Sequence, residues 1–139
     1  MATMRRYALW TRLVLAALYL LGIVVQFVLA GYGFFEGRWG AHEGLGWSVM
    51  HALPLLILIA TLVIWRRGPD LGLALAVGGL GIAQPFLAAA GGWAGVFHPL
   101  NALVIFMLAH VLIRYDRRAV RRHAMHTDDG AVTAEVAAR

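Results

Sequence analysis

Four runs of about twenty mostly apolar residues fill most of this chain, near 13–32, 45–65, 71–90 and 97–113. A helix of about 20 apolar residues matches the hydrocarbon thickness of a bilayer. Backbone polar groups inside a bilayer must be satisfied within the segment, which makes each run a helix. The connections are short, so successive helices run antiparallel. The expected fold is therefore all-α, an integral-membrane four-helix bundle over residues 1–122. A polar tail follows at 123–139 and is expected to be disordered.

Composition agrees. The chain is 61% hydrophobic and 14% charged, against roughly 45–50% and about 25% in soluble domains. Cysteine is absent, which excludes disulfides and thiolate metal sites. All twelve basic residues are arginine. The net charge of +5 does not indicate nucleic acid, because the arginines stand at the ends of the apolar runs. Arg5, Arg6 and Arg12 precede the first run, Arg66 and Arg67 follow the second, and Arg114, Arg117, Arg118, Arg121 and Arg122 follow the fourth. The two opposite connections hold only Arg38. By the positive-inside rule, both termini are expected in the cytoplasm, with the bundle in a bacterial-type inner membrane. Trp39, Trp47 and Trp93 then fall near the outer interface, and Trp10, Trp65 and Tyr115 near the inner one. The first run is too long for a signal-peptide core.

A short pattern occurs twice. Gln26-Phe-Val-Leu29-Ala30-Gly-Tyr-Gly33 aligns with Gln84-Pro-Phe-Leu87-Ala88-Ala-Ala-Gly91. A glycine-rich connection and a histidine follow each: His42 comes 16 residues after Gln26, and His98 comes 14 after Gln84. An apolar run and an arginine cluster come next in both halves. The expected bundle is two similar helical hairpins related by an axis along the membrane normal.

Polar groups inside membrane helices are costly. Gln26, Gln84, Ser48 and Asn101 lie in the outer half of their runs, with His42 and His98 at the boundary. His51 follows nine residues after His42, which places it about 180° around the helix, and His110 lies twelve residues after His98. Haem iron takes axial histidines, and a bilayer haem needs two of them at one depth on facing helices. His42 and His98 satisfy the depth condition. Gln26, Gln84 and Asn101 are then candidates to hydrogen-bond propionates, loop backbone or the ligand imidazoles. His51 is the alternative ligand. The competing reading is structural: interfacial histidines cap helices or meet solvent, and the buried amides bond between helices. Proline breaks the ladder at Pro54 and Pro85, while Pro99 is expected in the first turn of the fourth helix. The runs contain no carboxylate, with Glu36, Glu43 and Asp70 in connections, so no di-metal site is expected.

Gln-x-x-Leu followed by small residues, a glycine-rich connection and a histidine leading the next run resembles the haem A synthase superfamily. Gln26…His42 and Gln84…His98-Pro-Leu-Asn-Ala carry the likeness, over roughly residues 13–114. The chain is similar to one four-helix half of such a protein. It also resembles small four-span bacterial membrane proteins whose function is unknown. The resemblance implies the fold and a haem site near the outer face. The family carries an acidic residue shortly before the first histidine; here Trp39 stands three before His42 and Glu36 six before. Haem A synthesis by this chain alone is not implied. The expected role is that of a b-type cytochrome-like protein binding haem b, in electron transfer or haem handling rather than as a stand-alone catalyst. The alternative is an accessory or assembly subunit, packed by its small-residue faces against a larger membrane complex or a second copy.

Overall fold

The computed structural model describes residues 2–64 and 69–137, with side chains described over 3–64 and 71–122. It is all-helical among those residues: α1 Ala2–Glu36, α2 Gly40–Ile64, α3 Pro69–Ala90 and α4 Gly92–Ala137. Trp65, Arg66, Arg67 and the side chains of the polar tail lie outside the described set. All four helices are long and apolar enough to cross a membrane. Each packs against two neighbours, in the ring α1–α2–α3–α4 and back to α1.

Each helix outruns its apolar stretch. α1 begins eleven residues before the expected 13, and α4 begins at Gly92 rather than 97. Arginine and alanine favour helix, so a polar flank continues a helix that the apolar run has started. Two glycine sites then force the reversals. Gly37 (φ 67°) ends α1 in the left-handed region, where a Cβ is unfavourable. Gly91 and Gly92 (φ 59° and 50°) turn the chain from α3 into α4. The early start of α4 corrects one expectation. Pro99 is not in the first turn but inside the helix, its eighth residue. Its missing N–H leaves the Gly95 carbonyl without the usual helical donor.

Between 17% and 33% of each span's most apolar window is buried within the bundle. Most of each helix surface therefore faces outward, and that surface is Val, Leu, Ile and Phe. Such an exterior is stable in lipid and not in water. The interior is narrow. Ala16, Tyr19, Ile23, Leu53, Ile57, Ala74, Val77, Ile105, Ala109 and Leu112 form the main core. Small residues let the backbones close on one another. A Cβ on Gly78 would stand 2.5 Å from Leu58 Cδ1, and one on Gly81 would stand 2.7 Å from the Tyr19 hydroxyl and 2.8 Å from Pro54 Cγ. A second cluster, Leu9, Ile64 and Ala119, closes the end that carries the arginines.

Candidate functional site: a histidine pair over an apolar cavity

The antiparallel order brings the C-terminal ends of α1 and α3 beside the N-terminal ends of α2 and α4. Gln26 meets His42 there. Its Nε2 donates to the His42 carbonyl at 3.1 Å, and His42 Nδ1 lies 3.1 Å from the Gln26 carbonyl. The second hairpin makes the same two bonds. Gln84 Nε2 donates to the His98 carbonyl at 2.8 Å, and His98 Nδ1 lies 3.0 Å from the Gln84 carbonyl. Each glutamine thus holds its histidine through backbone and side chain together.

A carbonyl oxygen only accepts, so Nδ1 carries the proton in both rings. In the neutral imidazole, Nε2 across the ring is then the nitrogen with the lone pair. The two half-buried rings approach each other, with centroids 6.2 Å apart and planes at 70°. They line a cavity of about 510 Å³ that draws walls from all four helices. Its lining on α1 runs from Tyr19 to Ala30, a height of about 16 Å at 1.5 Å per residue. Trp39, Trp47, Met50, Pro85, Pro99 and Ile105 make most of the surface apolar. Among the described residues, no group of three or more His, Asp or Glu side chains is arranged to hold a metal ion.

Asn101 is buried and bridges α4 to α3, with Nδ2 donating to Leu80 O at 3.0 Å and to Gln84 Oε1. Its contact is with the glutamine, one step removed from the imidazole. His51 lines the same cavity as His42, although nine residues separate them. The cavity takes in half the circumference of α2, with His42 at one edge of that arc and His51 at the other. His51 stacks on Trp47 (5.2 Å, 27°), and its Nδ1 lies 3.1 Å from the Trp47 carbonyl. Its Nε2 is buried without a partner. His110 is exposed on the outer surface of α4, away from the cavity.

A second polar site was not expected. Arg12 and Asp116 are both 0% exposed and form a two-pronged ion pair joining α1 to α4. Nε donates to Oδ2 at 3.1 Å, and Nη2 donates to Oδ1. Nη1 also donates to Thr61 Oγ1 at 3.3 Å, and that hydroxyl donates to the Ile57 carbonyl at 2.7 Å. This corrects the expectation that Arg12 merely flanks a span, and it puts a buried carboxylate on α4 just beyond the expected fourth run; Glu36, Glu43 and Asp70, expected in connections, lie in α1, α2 and α3. The signal was present: Asp116 is the one acid in an arginine cluster, and Arg12 continues the helical register of the first run. Arg12 stands 14 residues from Gln26, about 21 Å along α1, so the two polar sites occupy opposite ends of the bundle.

No family model matches the chain, and no curated protein or solved structure matches it either.

Proposed function

We propose that this is a small integral-membrane haem-binding protein of two similar hairpins, with His42 and His98 as axial ligands and haem b as the group held between them. The observation that carries the reading is the 6.2 Å separation of the two imidazole centroids. Two metal–imidazole bonds of about 2 Å, plus about 1.1 Å from each bonded nitrogen to its ring centre, place coaxial rings about 6.2 Å apart. A 70° angle between the planes is compatible with such a pair, since two rings on one axis can meet a metal at any angle between their planes.

Three further features support the fit. Metal-bound histidines usually give their other N–H to a carbonyl or carboxylate, which fixes the tautomer and orients the ring. Both glutamine clasps do this. The cavity falls within the roughly 300–1,000 Å³ of small-molecule sites. Its tall, apolar shape between α2 and α4 suits a flat macrocycle standing along the bundle axis. When bound, haem supplies reversible one-electron exchange. His42 and His98 would hold the group, and the apolar walls of the cavity would keep water from it. A group held by both histidines would suit electron transfer or haem handling better than substrate chemistry. The equivalent bonding of Gln26–His42 and Gln84–His98 supports a pseudo-twofold axis between the hairpins, in line with the resemblance to half of a haem A synthase.

The arginine distribution supports cytoplasmic termini, which puts the histidine end at the outer face of the inner membrane. The test of the haem reading is an absorption spectrum of detergent-purified protein supplied with haem, oxidised and then reduced with dithionite. A Soret band and a sharp reduced α-band are expected. His42→Ala and His98→Ala should each weaken the complex or convert it to a five-coordinate spectrum. A colourless wild-type protein refutes the reading.

A further inference from the structure

The two clasps share their histidine bonds but not their support. Gln84 spends its Nε2 on the His98 carbonyl and its Oε1 on Asn101 Nδ2, so the amide is held at both ends. Gln26 spends its Nε2 on the His42 carbonyl, and its Oε1 is buried with no partner. Rotating the amide does not help, because the His42 carbonyl needs a donor. The cause is one residue. Asn101 stands three positions after His98, and Leu45 stands three after His42. Leucine offers no donor.

The helix register adds a second, independent difference. His42 is the third residue of α2, within the first turn, where backbone N–H groups lack intrahelical partners and ends open most easily. His98 is the seventh residue of α4, in the second turn. Four residues exceed the usual uncertainty of one or two at a helix end. Trp39 meets His42 edge-on at 5.8 Å. That apolar contact does not replace the missing amide bond.

We infer that His42 is the exchangeable side of the site and His98 the fixed side, so that a small exogenous ligand of the carbon monoxide or cyanide class enters by replacing His42. This rests on the haem reading for its ligand, but the inequality of the clasps belongs to the chain alone. Asn101 acts as a positioning residue through Gln84, and Leu45 is the place where the first hairpin lacks that function.

The experiment uses the full chain in detergent, loaded with haem b. His98→Ala is expected to weaken haem binding at least about tenfold more than His42→Ala. Free imidazole should restore the six-coordinate spectrum in His42→Ala. Carbon monoxide should bind the reduced wild type. Leu45→Asn, which supplies Gln26 Oε1 with a donor, should lower carbon monoxide affinity about three- to tenfold, the worth of one hydrogen bond. Asn101→Leu should bring the two histidine variants together. In unloaded protein, nitrogen-15 NMR of the rings should show the His98 Nδ1 proton exchanging more slowly than that of His42. If wild type binds haem but the two alanine variants lose it equally, and Leu45→Asn changes nothing, the inference fails and the haem reading stands. If wild type takes up no haem, the exogenous-ligand proposal falls with the haem reading. Equal proton exchange at the two rings would then also overturn the unequal clasps.

Discussion

Removing the Asp116 carboxylate should be among the most damaging single changes in this protein. Arg12 and Asp116 are each 0% exposed and bonded side-on through two nitrogens and two oxygens. A buried pair like this contributes little net stability relative to apolar residues of the same volume, because both ions have lost their hydration. Losing one partner alone is different: it leaves the other charge desolvated, at about 3–5 kcal/mol. Asp116→Ala should therefore shift the unfolding equilibrium by roughly 2.2 to 3.7 decades, at 1.36 kcal/mol per decade. Arg12→Leu combined with Asp116→Leu removes the two charges together, and its loss should be smaller than the sum of the two single losses. The assay is equilibrium unfolding in mixed micelles with increasing dodecyl sulfate, followed by far-ultraviolet circular dichroism. A loss under about 1 kcal/mol for Asp116→Ala, or a double variant whose loss equals the sum of the two single losses, would show that water reaches this site and that the desolvation argument is wrong.

Other consequences follow from the same contacts. Gln84→Leu strands the His98 carbonyl and one donor of Asn101, and should cost more stability than Gln26→Leu; about 1–3 kcal/mol is expected for Gln84, read in the same unfolding assay. Gly81→Ala places a methyl group against the Tyr19 hydroxyl and the stiff Pro54 ring, so a loss of about 1–3 kcal/mol is expected, and an unchanged midpoint would contradict the close approach of α3 to α2. Gly46→Ala puts a Cβ 3.1 Å from Gln26 Nε2 and should loosen the first clasp, seen as weaker haem retention than wild type with little change at His98. Reporter fusions after Gly68 and after Arg122 should both give cytoplasmic signals, and a periplasmic signal at either site contradicts the arginine reading.

Much of the architecture was legible along the chain because a bilayer leaves few choices. Apolar runs of about twenty residues become helices, short connections make them antiparallel, and arginine marks the ends. The glutamine–histidine pairs were legible for a related reason: polar residues at the edge of apolar runs are rare enough for a recurrence to stand out. Their bonding was legible only as a set of candidates: propionates, loop backbone or the ligand imidazoles. That the Gln26 and Gln84 side chains donate to the histidine carbonyls while their backbone carbonyls accept from the ring N–H groups depends on which atoms face each other across a hairpin, and composition carries no such information. The same holds for His51, which helical rotation sends away from His42 and which nonetheless lines the same cavity because that cavity spans half of α2. Arg12 and Asp116 lie 104 residues apart. Each alone reads as an ordinary charge near a membrane surface, and only the closing of α1 against α4 buries them together. Local sequence determined where each helix is and that the paired glutamines and histidines share one end, since those follow from the solvent a segment can tolerate. Tertiary structure alone decided which polar atoms are satisfied, because a hydrogen bond between helices needs a distance and a direction that no single helix possesses.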